Sequence, residues 1–349
     1  MSADDKLALL LRNAQEVITI EEAQALLEKA GAKRAYVGFE PSGLFHIGQG
    51  VVVGQKIKDL SSLGFDLTVL LADWHAFIND KWGRDMEKIR VCGEYMRDCL
   101  LALGVEEEKV RFMYASELVS SSSYWERVIR ISKASTVARI KRALTIMGRK
   151  ESDADADASK LIYPAMQAAD IFHLELDLAL GGMDQRHAHM LAREVSERLG
   201  WRRFVALHTP LLISLRGGGR MDAADLKMSK SVPESCIFVH DAPEEIARKI
   251  EGAYCPPKVG EGNPVLDHCR LIIFPMMGRM EIERPERYGG SLSFESYEAL
   301  ESAYKEGRLH PADLKAATAH YLSAVLEGAR AYLRRHHENL DKVLGMVSG

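Results

Sequence analysis

No Cys-x-x-Cys pair and no long apolar run occur in this sequence, and no secretory leader is expected. The five cysteines, Cys92, Cys99, Cys236, Cys255 and Cys269, are scattered and odd in number. That usage excludes a disulfide framework or a structural zinc site and predicts reduced, mostly buried thiols. The start, Met1-Ser-Ala-Asp-Asp-Lys, has no hydrophobic h-region, and no stretch approaches the roughly eighteen apolar residues that cross a bilayer. No membrane association is expected, and the expected compartment is the cytoplasm. An excess of positive charge is also missing: the formal net charge is −4, so any contact with nucleic acid must come from local basic surface. Asp153-Ala-Asp-Ala-Asp157 alternates carboxylates but lacks the glycine and closing Glu of a calcium loop, so it reads as an exposed spacer and no metal site is expected. What is present is a chain of 349 residues, 47% apolar and 28% charged, enough for one large α/β domain and a smaller one.

The periodicity changes along the chain. Leu7 to Ala30 reads as helical, with Leu7, Leu11, Ile18, Ala25, Leu26 and Leu27 as apolar positions. Ala35–Phe39 is a short apolar run followed by Pro41 and Gly43, the signature of a buried strand. Gly48–Leu60 reads as a helix, Leu67–Ala72 as a strand, Met86–Leu103 as a helix and Val110–Tyr114 as a third strand. Leu176–Leu180 and Phe204–Leu207 then flank a helix near Gln185–Leu199. Alternating strands and helices imply an α/β, doubly wound parallel sheet with its ligand crevice at the carboxyl ends of the strands. An insertion at about 115–160 opens with Ser120-Ser-Ser-Ser123, where Ser123 could cap a helix starting at Tyr124. From Arg127 to Lys150 no acidic residue appears, while Arg127, Arg130, Lys133, Arg139, Lys141, Arg142, Arg149 and Lys150 accumulate. Such a stretch is either a solvated helical face or an RNA-contacting one. After His240 the strand-like runs thin out, and Pro243–Ala253, Ser296–Lys305 and Pro311–Arg335 read as helices. The expected division is a domain over 1–240 and a mainly helical one over 241–349, with no further appended domain after His336-His337.

Three short segments carry chemistry. In Pro41-Ser-Gly-Leu-Phe-His46-Ile-Gly48-Gln49, a strand end turns into a helix start. Glycine at 48 admits a nucleotide close to the backbone, a helix N-terminus favours phosphate, and the His46 imidazole can donate to a phosphate oxygen. A capped helix start with an incidental histidine is the plainer reading. Lys227-Met228-Ser229-Lys230-Ser231 follows Gly217-Gly-Gly219. Its two lysines suit a pyrophosphate leaving group, whose charge grows in the transition state. In Leu180-Gly181-Gly182-Met-Asp184-Gln185-Arg186, the glycines leave room for adenosine and Asp184 can accept from ribose hydroxyls, or can simply cap a helix.

Together these segments resemble the signatures of the class I aminoacyl-tRNA synthetases, written HIGH and KMSKS. The resemblance narrows at Tyr36-Val-Gly38-Phe-Glu40-Pro-Ser-Gly, Leu70-Leu-Ala-Asp73-Trp-His75, Tyr163-Pro-Ala-Met-Gln167-Ala-Ala-Asp170 and Gly181-Gly-Met-Asp-Gln185. These look like tyrosyl-tRNA synthetases of the archaeal and eukaryotic type, from about residue 7 to about 335. The one departure is Gln49, at a final signature position that varies within these enzymes. The resemblance implies a Rossmann-like catalytic domain, a helical anticodon-binding domain, and L-tyrosine, tRNA(Tyr) and ATP with Mg2+ as substrates, without a tightly bound cofactor. It implies a homodimer through the insertion. It makes His46, Gly48, Lys227 and Lys230 catalytic, and Gly38, Glu40, His46, Gly48, Gly182, Asp184, Met228, Ser229 and Lys230 the ATP site. Tyr36 and Asp170 would meet the substrate phenol, Tyr163, Gln167 and Gln185 its amino group and backbone, and Leu70 and His75 would line the pocket. Arg139, Arg142 and Arg186 would approach the acceptor end of tRNA, and Tyr288, His310 and Asp313 the first anticodon base.

The residues give partial independent support. Tyr163, Gln167 and Asp170 stand at i, i+4 and i+7, so one helix face presents all three, while Ile162, Met166 and Ile171 supply apolar positions. The plain alternative is an amphipathic helix with polar surface residues. For Tyr288 and Asp313 the plain alternatives are a loop-packing aromatic and a first-turn acid. Rival functions are a tryptophanyl-tRNA synthetase on the same scaffold and a non-catalytic RNA-binding paralogue.

Overall fold

The computed structural model describes residues 1–148, 157–217 and 233–348. The Lys227–Ser231 motif, Arg149, Lys150 and the first two carboxylates of the Asp153–Asp157 run lie outside them. Six strands form the main sheet: β1 (Glu16–Ile18), β2 (Lys33–Phe39), β3 (Phe65–Leu71), β4 (Val110–Tyr114), β5 (Leu178–Gly182) and β6 (Val205–Thr209). Their spatial order is β1-β6-β5-β2-β3-β4, parallel throughout except for β1, which pairs antiparallel with β6. The chain runs outward from β2 through β3 to β4, then returns past β2 to build β5 and β6. The winding direction therefore reverses between β2 and β5, where a doubly wound sheet opens a crevice.

Strand alternation sorts side chains to two covered faces. Val37, Val69, Leu180 and Leu207 join one buried cluster, whereas Tyr36, Leu70, Ala179 and Ala206 join the other. Tyr36 is in register with Ala179, and Ala179 with Ala206, so one of the smallest side chains lies beside the buried tyrosine and another one strand further on. Burial on both faces explains why β3 reads as a continuous apolar run rather than an alternating one.

Four details depart from the sequence reading. The expected 7–30 helix is two helices, Ala3–Leu11 and Ile20–Glu28, with β1 between them. Asn13 takes a positive φ of 52°, and Thr19 restarts the helix by accepting from the Glu22 N–H at 3.2 Å. Ala25 is exposed and Ala23 is buried in its place. The 48–60 helix opens with a π-helical stretch, Gly48–Val53, before the α-helix Gly54–Ser62. Ser121, not Ser123, holds the N-cap position of Ser122–Lys133, because its backbone is the extended one (φ −92°, ψ 130°). Asp157 is no spacer: it caps Ala158–His173 by accepting from Ser159 N–H at 3.0 Å and Lys160 N–H at 3.4 Å.

The remainder is mainly helical, as expected, with a two-stranded hairpin, β7 (Met280–Ile282) and β8 (Leu292–Phe294), and a last helix, Glu338–Ser348, that the pattern did not single out. That helix packs on Met86–Ala102, where Asn339 Nδ2 donates to Asp98 Oδ2 at 2.8 Å. One hydrophobic cluster runs from Leu60 and Leu100 through Val239 and Ile246 to Leu326. All five cysteines are buried. Among the described residues no helix is long and apolar enough to cross a membrane.

Candidate active site

The β2 strand ends at Phe39, and the chain turns through Pro41 and Gly43 to His46. His46 sits in a short bridge against Phe238: Ile47 N–H donates to Ile237 O at 2.9 Å, and Val239 N–H donates to Phe45 O at 3.0 Å. A Cβ on residue 48 would stand 3.1 Å from His46 Nδ1 and 3.3 Å from Leu212 Cβ. Glycine there lets the imidazole fold back over the start of the helix. The described chain stops at 217 and resumes at 233, and Leu215 N–H donates to Ser235 O at 2.9 Å across that interval. The ends of the described chain that lead to the Lys227–Ser231 motif are thus pinned beside the His46 bridge. At the end of β5, a Cβ on Gly182 would meet Asp184 Oδ1 at 2.6 Å and Leu211 Cδ2 at 2.9 Å, so any larger residue must displace those side chains.

On the neighbouring wall, Ala158–His173 presents Tyr163, Gln167 and Asp170 to the same space. Of the expected apolar positions, Met166 and Ile171 are buried, but Ile162 is 39% exposed. The helix is buried over most of its girth, so its polar residues face the interior while Ile162 marks the outer side. Gln167 Nε2 donates to Gln185 Oε1 at 3.0 Å, joining the helix to the end of β5. Tyr163 OH donates to Glu40 Oε2 at 3.1 Å, and Asn79 Nδ2 reaches both Glu40 oxygens at 3.1 and 3.0 Å. Asp170 is fully enclosed and accepts from Tyr124 OH at 2.8 Å, with His75 Nε2 3.4 Å from its other oxygen.

Electrostatics follow from this enclosure. Burial pushes the Asp170 carboxyl well above the usual carboxylate range, against the opposing hydrogen bond from Tyr124. Burial, and then the charge of Asp170, push the Tyr36 phenol far up. Burial lowers His75 to about 4, which keeps it neutral at physiological pH.

Every described residue expected around the amino acid and the nucleotide lines one crevice of about 450 Å³: Tyr36, Gly38, Glu40, His46, Gly48, Leu70, His75, Tyr163, Gln167, Asp170, Gly182, Asp184 and Gln185. Lys227, Met228, Ser229 and Lys230 fall outside the described residues. Asn79 and Tyr124 were not foreseen. Asn79 meets Glu40 across 39 residues of chain, with no local pattern to announce it, and Tyr124 drew notice only as a helix start.

The basic residues gather elsewhere. Arg139, Arg142 and Arg186 line a second cleft of about 430 Å³, together with the unforeseen Arg193 and Arg203. Three of these donate to carboxylates: Arg139 Nε to Glu194 at 2.7 Å, Arg186 Nε to Glu16 at 2.8 Å and Arg193 Nη1 to Glu22 at 2.7 Å. In the C-terminal part, Tyr288 closes the turn Glu286–Tyr288 between β7 and β8. Arg284 ties this loop to the approach to His310, donating to Gly290 O at 3.0 Å and Arg308 O at 2.9 Å. His310 Nδ1 accepts from Ala312 N–H at 3.2 Å as the N-cap of Pro311–Arg335, and Asp313 lies in that first turn.

Comparison with known proteins points to one family. The family of tRNA synthetases class I (W and Y) matches residues 28–327. The tyrosine–tRNA ligase of Saccharolobus islandicus is 51% identical, over 97% of this chain and 96% of its own. That of Sulfurisphaera tokodaii is 50% identical, over 97% and 95%. The crystal structure of tyrosyl-tRNA synthetase from Aeropyrum pernix superimposes with a TM-score of 0.89 at 43% identity, covering 99% of both chains. The Archaeoglobus fulgidus enzyme, solved in complex with L-tyrosine, gives 0.85 at 42% identity, covering 95% of this chain and all of that one (100%).

Proposed function

This chain belongs to the class I tRNA synthetases of the tryptophan and tyrosine family, and we propose that it is a tyrosine–tRNA ligase, forming tyrosyl-adenylate from L-tyrosine and ATP and passing the tyrosyl group to the 3′ end of tRNA(Tyr). The observation that carries the reading is the single crevice at the winding reversal, lined by both the amino-acid and the nucleotide residues. In this reading the substrate phenol lies between Tyr36 and Asp170, with Leu70 and neutral His75 as walls. Tyr163, Gln167 and Gln185 hold its amino group and backbone. Phenylalanine would enter with nothing to pair with Tyr36 and Asp170, and buried polar groups left unmatched are costly.

ATP, carrying Mg2+ on its phosphates, lies along Gly38, Glu40, Gly182 and Asp184, with its phosphates toward His46 and Gly48. The tyrosine carboxylate attacks the α-phosphorus, and pyrophosphate leaves. Negative charge grows on the leaving oxygens, where His46, Lys227, Lys230 and the Met228-Ser229 backbone stabilise it. No side chain acts as nucleophile; positioning and electrostatics supply the rate. Residues 1–240 would then be the catalytic domain and 241–349 the anticodon-binding one. Arg139, Arg142 and Arg186 would take the acceptor end, and Tyr288, His310 and Asp313 the first anticodon base, by stacking and by accepting from base N–H groups. A cytoplasmic homodimer completes the reading. It is supported by five buried cysteines and by Trp125, Ile129 and Val137, which stand 40%, 66% and 66% exposed on the insertion.

The test is ATP–pyrophosphate exchange with each of the twenty amino acids. Tyrosine alone should drive it efficiently. Exchange driven by tryptophan instead would make the chain a tryptophanyl enzyme, and no exchange with any amino acid would favour the non-catalytic paralogue.

A further inference from the structure

Tyr124 comes from the inserted helix Ser122–Lys133 rather than from the sheet, yet its hydroxyl ends against the most enclosed carboxylate of the crevice. The side chain is 0% exposed, and its ring is held edge-on by Trp125 and His173 at centroid distances of 5.8 and 5.6 Å. Two acceptors compete for its single proton: Asp170 Oδ1 at 2.8 Å and Met166 O at 3.1 Å. The carboxylate oxygen is nearer and, when ionised, makes the stronger bond. On the other oxygen, Oδ2, His75 Nε2 stands at 3.4 Å without hydrogen-bond geometry. Oδ1 is thus engaged by Tyr124, and among the described residues no hydrogen bond reaches Oδ2.

We propose that Tyr124 is a positioning residue for amino-acid selection: by donating to Oδ1 it fixes the Asp170 carboxyl so that Oδ2 accepts the para-hydroxyl proton of tyrosine. The inference rests on the reading above, in which Asp170 meets the substrate phenol. A carboxylate without this anchor can turn about its terminal torsion, which is broad and weakly staggered, and can leave the phenol direction. Tyrosine depends on that orientation; phenylalanine, with no hydroxyl to bond, does not.

The test compares kcat/KM for tyrosine and for phenylalanine in pyrophosphate exchange, for the unaltered enzyme, Tyr124→Phe and Asp170→Asn. Tyr124→Phe keeps the ring and its packing and removes only the hydroxyl. Its tyrosine-over-phenylalanine ratio should fall by about tenfold or more, chiefly through the KM for tyrosine, with phenylalanine activation unchanged. The ratio is taken within each variant, so loss of folded protein cancels. If Tyr124→Phe lowers both substrates in parallel, the residue only packs and the proposal is overturned. If Asp170→Asn loses the ratio while Tyr124→Phe keeps it, Tyr124 is not the anchor and the proposal alone falls. If Asp170→Asn keeps the ratio, the phenol does not meet Asp170, and the pocket reading falls together with this one.

Discussion

Asp170 and His75 share one enclosed corner, and burial acts on them in opposite senses. It raises the carboxyl, against the Tyr124 hydrogen bond that favours the ionised form, and it lowers the imidazole. For His75 the consequence can be read in stability. Its folded value is about 4 and its ordinary value 6.5, so below 6.5 the unfolded chain takes up a proton that the folded one refuses. The stability this group contributes is present above 6.5 and is lost as pH falls toward 4. By pH 5 the loss should be about 2 kcal/mol. Urea unfolding at pH 7 and pH 5 should show His75→Gln losing less stability on acidification than the unaltered chain, by about that amount; equal losses would show that the imidazole is not held neutral. Gly182 carries a second expectation. Its missing Cβ is the space between Asp184 and Leu211, so Gly182→Ala should raise the KM for ATP by about tenfold or more while leaving tyrosine affinity unchanged, as measured by exchange kinetics and equilibrium binding.

At the scale of elements, the strands of the parallel sheet were legible because each is a short apolar run set off by glycine, proline or charge. β2, β3 and β4 fall within two residues of their expected bounds, and Pro311–Arg335 begins and ends where the pattern does. Two of the misreadings share a cause: they are places where tertiary pairing overrides local pattern. Glu16–Ile18 is three residues long and becomes a strand only because β6 offers it an open edge. The Gly48–Val53 stretch has the periodicity of an ordinary helix, and its π character arises directly after Phe45 and Ile47 are tied to Val239 and Ile237. Register matters most at Ala179. It lies directly beside Tyr36 and is wholly buried, so Ala179→Val must push into the face that holds the phenol. The variant should lose about 1–3 kcal/mol in denaturant unfolding and weaken tyrosine binding, from overpacking. Unchanged stability and affinity would mean that this face has slack.

For the whole molecule, the candidate site was legible to the extent that its residues belong to contiguous motifs. His46, Gly48, Gly182 and Asp184 announce themselves by spacing. Tyr36, Leu70 and His75 carry no signal of their own and were reached only through resemblance, because what unites them is the fold: two lie on neighbouring strands and His75 on the helix that follows β3. Asn79 and Tyr124 escaped both routes, since each acts by hydrogen bonds to a distant segment. The C-terminal part is joined to the rest by a shared hydrophobic cluster, yet Asp313 and the crevice lie on different elements with separate tasks in this account. Asp313→Ala should therefore lower tRNA charging by about tenfold while leaving tyrosine-dependent pyrophosphate exchange unchanged. A parallel loss in both assays would assign the residue to stability instead. The most direct measurement is a crystal structure of the enzyme with a non-hydrolysable tyrosyl-adenylate analogue. The phenol oxygen should lie within hydrogen-bonding distance of Tyr36 and Asp170, and the ribose beside Gly182 and Asp184; an aromatic ring bound away from Tyr36 and Asp170 would contradict the account.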